Sequence, residues 1–246
     1  MINLRRYIID FLSRHNYVTL QNQKLSNSFC DTSIAANPLW NHVIGLDSAT
    51  LKLVSDELNS LDLLMSFHEA INLVWATRET AGIPGEMAEV GSYSGSSALL
   101  MCASSKIDSR TINLFDTFSG IPEVTHGIDN LEIGDVAGAS LELVKTKLLP
   151  YSSRVKYHVG FFPDSTYDIS KETHFSLVNL DADTYQTTLT ALEFFYPRIP
   201  HGGIILCHDY SSISCPGVRK AIDEFFLYKV ENVIPLWHTQ ALIIKN

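Results

Sequence analysis

The sequence predicts an α/β fold, doubly wound around a mostly parallel sheet, on three observations. From residue 86 onward, short apolar runs alternate with longer amphipathic ones, the rhythm of strand–helix–strand units with helices on both faces of a sheet. A glycine-bearing turn, Gly91-Ser92-Tyr93-Ser94-Gly95, leads from the first of these runs into a helical segment. Two later apolar runs stop abruptly in acid: FSLVNLDAD ends at Asp181 and Asp183, and GGIILCHDY ends at His208 and Asp209. Both have the length and composition of buried parallel strands. Ligands of open α/β sheets bind at the carboxyl ends of the strands, and carboxylates are costly to bury there unless they hold a metal, a cation or a proton.

The bulk numbers narrow the classes. At 246 residues the chain has room for one large α/β domain with additions. A net charge of −9 argues against a nucleic-acid partner and against an anionic membrane surface. The longest apolar stretches are far too short to span a bilayer. RRYIIDFL near the N-terminus is too short for a signal peptide, is interrupted by Asp10 and is followed by no small-residue cleavage site. Cys30, Cys102, Cys207 and Cys215 show no CxxC spacing and read as buried reduced thiols of a cytoplasmic protein.

In chain order, residues 1–81 form a helical N-terminal extension and 82–246 the main domain. Helices are expected at 2–15, 49–60 and 66–80, the last with apolar positions at 67, 70, 71, 74 and 75. GIPG at 82–85 punctuates the chain. Strands follow at 86–90, 111–115, 154–159, 175–180 and 203–208, with helical segments SSALLMCASS, ASLELVKTKLL and YQTTLTALEFF between most of them. After a helix at 216–228, NVIPLW and QALIIK are close enough in sequence to form an antiparallel pair at the sheet edge. Trp40, Phe67 and Trp75 are aromatics that could line a pocket, although core packing explains the last two better.

The glycine spacing is G-x-x-x-G, neither the G-x-G-x-x-G of a dinucleotide site nor a P-loop. A tight strand-to-helix turn with no ligand explains it equally well. Asp116, at the end of the second strand and 21 residues after Gly95, is placed to accept hydrogen bonds from a ribose diol. Together the loop and that acid suggest an adenosine-type ligand, with Glu89 a further anchor or a helix cap. Asp181, His208 and Asp209 close neighbouring strands, so they can converge over the cleft, and Asp with His can bind a divalent metal. Asp183 reads equally as the N-cap of the helix beginning near Tyr185. The remaining histidines read as ordinary structural or surface residues.

In order, these segments resemble the TylF/MycF (macrocin) family of S-adenosylmethionine-dependent O-methyltransferases. The resemblance runs from about Gly82 to Phe226 through GIPGEMAEVGSYSGSS, LFDTFSGIPE, RVKYHVGFFPDS, LVNLDADTYQTTLTALEFFYPRIPHGGIILCHDY and CPGVRKAIDEFF. It implies a class I methyltransferase fold, Rossmann-like, with a seven-stranded sheet whose last strand is antiparallel. It implies that S-adenosylmethionine is held by Glu89, Gly91, Ser92, Tyr93, Gly95, Ser96, Asp116, Phe161 and Asp181. It implies methylation of a hydroxyl on a small molecule, a sugar or glycosylated natural product, assisted by Mg²⁺ at Asp181 and the pair His208–Asp209. Asp181 is also the proposed base, segment 120–138 part of a substrate lid, and the assembly a homo-oligomer, with a dimer favoured by analogy.

One departure matters. The family usually has two acids where this chain has His208-Asp209, and histidine is a poor ligand for a hard ion that prefers oxygen. Three outcomes follow: Mg²⁺ on Asp181 and Asp209 with waters, a softer metal that accepts imidazole, or no metal, in which case His208 becomes a rival general base. Two other functions share these features. An NAD-dependent sugar oxidoreductase would share the sheet and the ribose acid but needs a pyrophosphate site. A cofactor-binding regulator would explain the departure at 208 as lost catalysis.

Overall fold

A computed structural model describes residues 47–60, 62–105 and 110–246. The helix expected at 2–15, and with it Cys30 and Trp40, lies outside the described residues. Two helices open the described chain, α1 (Ser48–Ser60) and α2 (Phe67–Glu79). The alternating part runs β1 (Glu86–Val90), α3 (Ser96–Ser104), β2 (Ile112–Asp116), α4 (Leu141–Lys147), β3 (Val155–Val159), β4 (Phe175–Leu180), α5 (Tyr185–Phe195), β5 (Ile204–Cys207), α6 (Pro216–Phe226), β6 (Ile234–Pro235) and β7 (Ala241–Ile244). The expected elements are present, with ends shifted by a few residues at most.

The strands form one seven-stranded sheet in the order β3-β2-β1-β4-β5-β7-β6. Pairing is parallel from β3 to β5. β7 runs antiparallel to both β5 and β6. The NVIPLW–QALIIK pair therefore exists, and its second strand sits inside its first. Successive strands are added outward from β1 to β3 on one side and from β4 to β5 on the other, so the switch point lies between β1 and β4, where an open sheet leaves a crevice for ligand.

Each central strand is buried on both faces, as its unbroken apolar run requires. Val90, Phe115, Val178 and Ile205 face one core with Leu192, Phe195, Val218 and Ile222 of α5 and α6. Met87, Leu114, Leu177 and Leu206 face the other core, with Leu73 and Ala76 of α2 and Met101 of α3. A smaller cluster joins Leu51 and Val54 of α1 to Ile71 and Val74 of α2 and Leu100 of α3. Residues 47–81 thus share apolar cores with the sheet. Phe67 and Trp75 are half-buried on these clusters, and neither lines the cavity described below.

Cys102, Cys207 and Cys215 are buried free thiols, and burial raises all three, Cys102 to about 12. No helix among the described residues is long and apolar enough to cross a membrane.

Candidate active site

Parallel register aligns Val90, Leu180 and Cys207 across β1, β4 and β5. The ladder continues one residue further, with Asp181 N donating to Val90 O at 2.9 Å and His208 N to Leu180 O at 2.8 Å. Asp181 and His208 therefore stand side by side at the strand ends. A cavity of about 550 Å³ opens there. Its walls are the glycine loop, Asp116, residues 181–183 and 208–209, segment 120–138 through Ile121 and Leu131, and Leu63 and Glu69 from the helical segment.

Backbone strain marks the same place. Among the described residues, six other than glycine have positive φ: Tyr93 (42°), Phe118 (53°), Val136 (58°), Asp183 (60°), Asp209 (59°) and His238 (69°). All six line the cavity. For β-branched Val136 this conformation is a true outlier. Strain of this kind, about 1–3 kcal/mol per residue, persists where the surroundings impose it, and it collects at functional sites.

The glycine loop owes its glycines to the chain itself. A Cβ on Gly91 would lie 1.9 Å from the carbonyl oxygen of Asp181, so the ends of β1 and β4 approach this closely only with glycine there. Gly95, left-handed at the N-cap of α3, would drive a Cβ to 2.8 Å from Val144 Cγ1. The loop nevertheless forms a binding wall. Asp116 accepts from Tyr93 N at 2.8 Å through Oδ2 and from Phe118 N at 2.6 Å through Oδ1. Ser92 lies against the same carboxylate, which lines the cavity where a ligand diol could donate to it. Burial raises the Asp116 carboxyl, while the backbone N–H groups of Phe118 and Tyr93 pull the other way.

Gly91, Ser92, Tyr93, Gly95's neighbours Ser94 and Ser96, and Asp116 all line the cavity. Ser96 is also engaged elsewhere: its hydroxyl donates to Glu57 Oε2 at 2.6 Å and accepts from Lys147 Nζ at 2.6 Å. Glu89 is not on the surface of the cavity. It is fully buried beneath the loop, accepts from Asn179 Nδ2 at 2.8 Å, and is pushed by burial up to about 8. It hydrogen-bonds the Ser97 side chain in the first turn of α3 and does not line the cavity. Phe161 is absent from the walls, and its neighbour Phe162 is present.

The acid cluster centres on His208, whose side chain is 8% exposed. Its Nδ1 lies 2.9 Å from Asp209 Oδ2 and 3.1 Å from Asp181 Oδ1, and its Nε2 lies 3.6 Å from Glu69 Oε1. Burial alone would lower the imidazole, but the Asp181 and Asp209 carboxylates hold it well above its ordinary value. Burial raises Asp181 despite the His208 charge. Asp183 is raised well above the carboxylate range by burial and then by Asp181 and Asp209. Asp209 falls, because His208 outweighs its burial. A general base needs a free lone pair, and the carboxylates around the ring favour its protonated form.

Asp181, His208 and Asp209 do bring one ligand atom each within 4.8 Å of one another. The set fits magnesium poorly, since only two of its donors are oxygen and the third is a nitrogen already hydrogen-bonded between them.

Asp183 is not the N-cap of α5. The cap position is Thr184, and the Tyr185 N–H donates instead to Asp129 Oδ1 at 2.9 Å. Asp129 Oδ2 accepts from Thr125 N at 2.7 Å, so this residue ties segment 120–138 to α5. Glu69 was not among the candidates either. The capping box Ser66-x-x-Glu69 is visible in sequence, but its carboxylate also accepts from Thr239 N and Oγ1 at 3.0 and 2.6 Å, across 170 residues. His238 lines the cavity as well, stacked on His68.

The chain resembles known proteins in sequence and in fold. The chain is 29% identical over 157 residues to 8-demethyl-8-(2,3-dimethoxy-alpha-L-rhamnosyl)-tetracenomycin-C 4'-O-methyltransferase of Streptomyces olivaceus, covering 58% of this chain and 59% of that protein. It is 28% identical over 159 residues to demethyldecarbamoylnovobiocin O-methyltransferase of Streptomyces niveus, covering 58% of each. The chain thus spans less than two thirds of the length of these relatives. The crystal structure of CalS11, a calicheamicin methyltransferase, superposes with a TM-score of 0.66 at 17% identity, over 91% of this chain and 93% of that one. The profile of the macrocin-O-methyltransferase (TylF) family matches residues 62–234. That span is most of the chain and includes every wall of the cavity from the glycine loop to Asp209, so the protein belongs to the macrocin O-methyltransferase (TylF) family.

Proposed function

We propose that this protein transfers a methyl group from S-adenosylmethionine to a hydroxyl of a small molecule, a sugar or a glycosylated natural product. The observation that carries the reading is a single cavity with a diol acceptor, Asp116, beside the glycine loop and a buried acid cluster at the ends of β4 and β5. One relative named above acts by name on a rhamnosyl-tetracenomycin, which supports the acceptor class. A homodimer is proposed on the family likeness alone, and light scattering of the full chain tests it.

The residues divide the work. The Asp116 carboxylate, held by two backbone N–H groups, receives the ribose diol and fixes the cofactor. Bound there, S-adenosylmethionine supplies an electrophilic methyl group on a sulfonium. With that group bound, the acceptor oxygen would take the methyl carbon as its bond to sulfur broke, releasing S-adenosylhomocysteine. The hydroxyl proton passes to Asp181, whose burial makes it a better base than a surface carboxylate. Leu63, Ile121 and Leu131 give the cavity an apolar wall, and alignment of the reacting atoms contributes several kcal/mol, to an order of magnitude.

Thermal unfolding tests the cofactor. S-adenosylhomocysteine raises the melting temperature and NAD does not. Stabilisation by NAD alone would instead support an oxidoreductase. Binding without methylation of any hydroxyl acceptor would support a regulator.

A further inference from the structure

The His208 ring sits where three carboxylates converge, 2.9, 3.1 and 3.6 Å from its nitrogens, and opposite charges at such distances favour the protonated ring. A neutral imidazole has one donor nitrogen and one acceptor. If Nδ1 carried no proton, its lone pair would face Asp209 Oδ2 at 2.9 Å and Asp181 Oδ1 at 3.1 Å. If Nε2 carried none, its lone pair would face Glu69 Oε1 at 3.6 Å, in a pocket that gives this buried nitrogen no hydrogen-bond partner. Either neutral tautomer sets lone pair against carboxylate in a site shielded from water, where such contacts are costly. The doubly protonated ring meets an acid on each side.

That ring also fills the position from which an ion would bridge the two aspartates. Magnesium requires near-octahedral oxygen ligands and keeps several waters. Between Asp181 and Asp209 it would meet an N–H bond directed at the same two oxygens. The backbone register that pairs Leu180 with Cys207 fixes the ring there, because His208 is the next residue on β5. Glu69, itself anchored by Thr239 and by the Ser66 N–H at 2.7 Å, closes the far side.

We propose that the His208 imidazolium is the resident cation of this site, standing between Asp181 and Asp209 in place of a divalent metal, so that the protein works without one. The inference rests on the transferase reading only for the reaction that it serves. It makes His208 a positioning residue that holds Asp181 in place, and it leaves Asp181 as the proton acceptor.

The test uses the full-length chain with Mg²⁺ alone as probe. The wild type melts at the same temperature in chelator and in millimolar Mg²⁺. His208→Asp, which removes the cation and adds an acid, melts several degrees lower in chelator and recovers with Mg²⁺. Mg²⁺ stabilisation of the wild type that is lost in Asp209→Asn overturns the proposal. So does a folded His208→Asp variant that ignores Mg²⁺. Should that variant fail to fold under both conditions, the wild type decides by nitrogen NMR with ring-labelled histidine: both His208 nitrogens protonated at pH 7.5 supports the proposal, and one unprotonated overturns it. Failure of S-adenosylhomocysteine to bind would sink the transferase reading and leave these results standing.

Discussion

A carboxyl group cut off from water behaves as a neutral acid, and Glu89 is the clearest case in this chain. Its ordinary value of 4.5 is raised to about 8 by burial. Below 4.5 the folded and unfolded states both hold the proton. Between 4.5 and 8 the unfolded chain has released it and the folded chain has not, so stability falls as pH rises through that window and levels off above 8. Glu89→Gln keeps an acceptor for Asn179 and removes the ionisation. Melting temperatures measured from pH 5 to 8.5 are expected to fall less in this variant than in the wild type. Asp181→Asn keeps the shape of the site and removes the proton acceptor, and we expect turnover to drop roughly 100-fold or more, with cofactor binding retained. Full turnover in that variant would refute the role given to Asp181. At this scale the sequence was legible where function is written in strand ends: Asp116, Asp181, His208 and Asp209 all reach the cavity. Glu89 was not, because the alternation that turns a side chain toward the loop or toward the core depends on register.

Helix ends show how local signals acquire distant partners. Ser66 accepts from Glu69 N at 3.3 Å while Glu69 accepts from Ser66 N at 2.7 Å, a reciprocal capping box. Ser66→Ala costs about 1 kcal/mol by the usual value of such caps, measurable by urea unfolding. It also frees the Glu69 carboxylate from one of its anchors. The helix at 66–80 was legible from its apolar spacing, yet Glu69 is buried among those apolar residues, at 3% exposure. Its burial follows from Thr239 and His208, which no local period reveals. The start of α5 failed for the same reason. Asp183 has the composition of a cap, but Asp129 reaches the Tyr185 N–H first, and Gly217 of α6 makes the room: a Cβ there would lie 1.9 Å from Asp129 Oδ1. The ends of three elements meet on one carboxylate.

The whole molecule was the most legible level, since it rests on repetition. Five apolar runs with helices between them specify a parallel sheet, and the antiparallel edge follows from the short link between its last two strands. The likeness to a family implied an antiparallel last strand, but the position of β7 between β5 and β6 was not legible in the runs themselves. One measurement tests the assembled cavity as a unit. At about 100 times its dissociation constant, S-adenosylhomocysteine should stabilise the fold by about 2.7 kcal/mol, a rise of roughly 5–10 °C for a domain of this size. A shift below one degree at saturation would mean that the loop and Asp116 do not bind it. The six left-handed residues around that cavity carry a last consequence. Each is a site where glycine would relax the backbone, so selection for heat resistance alone would be expected to enrich Val136→Gly. Such a variant would melt higher while losing the apolar side chain that forms part of the wall. In this protein the cheapest route to durability runs through the surface that recognises the ligand, and improving one would erode the other.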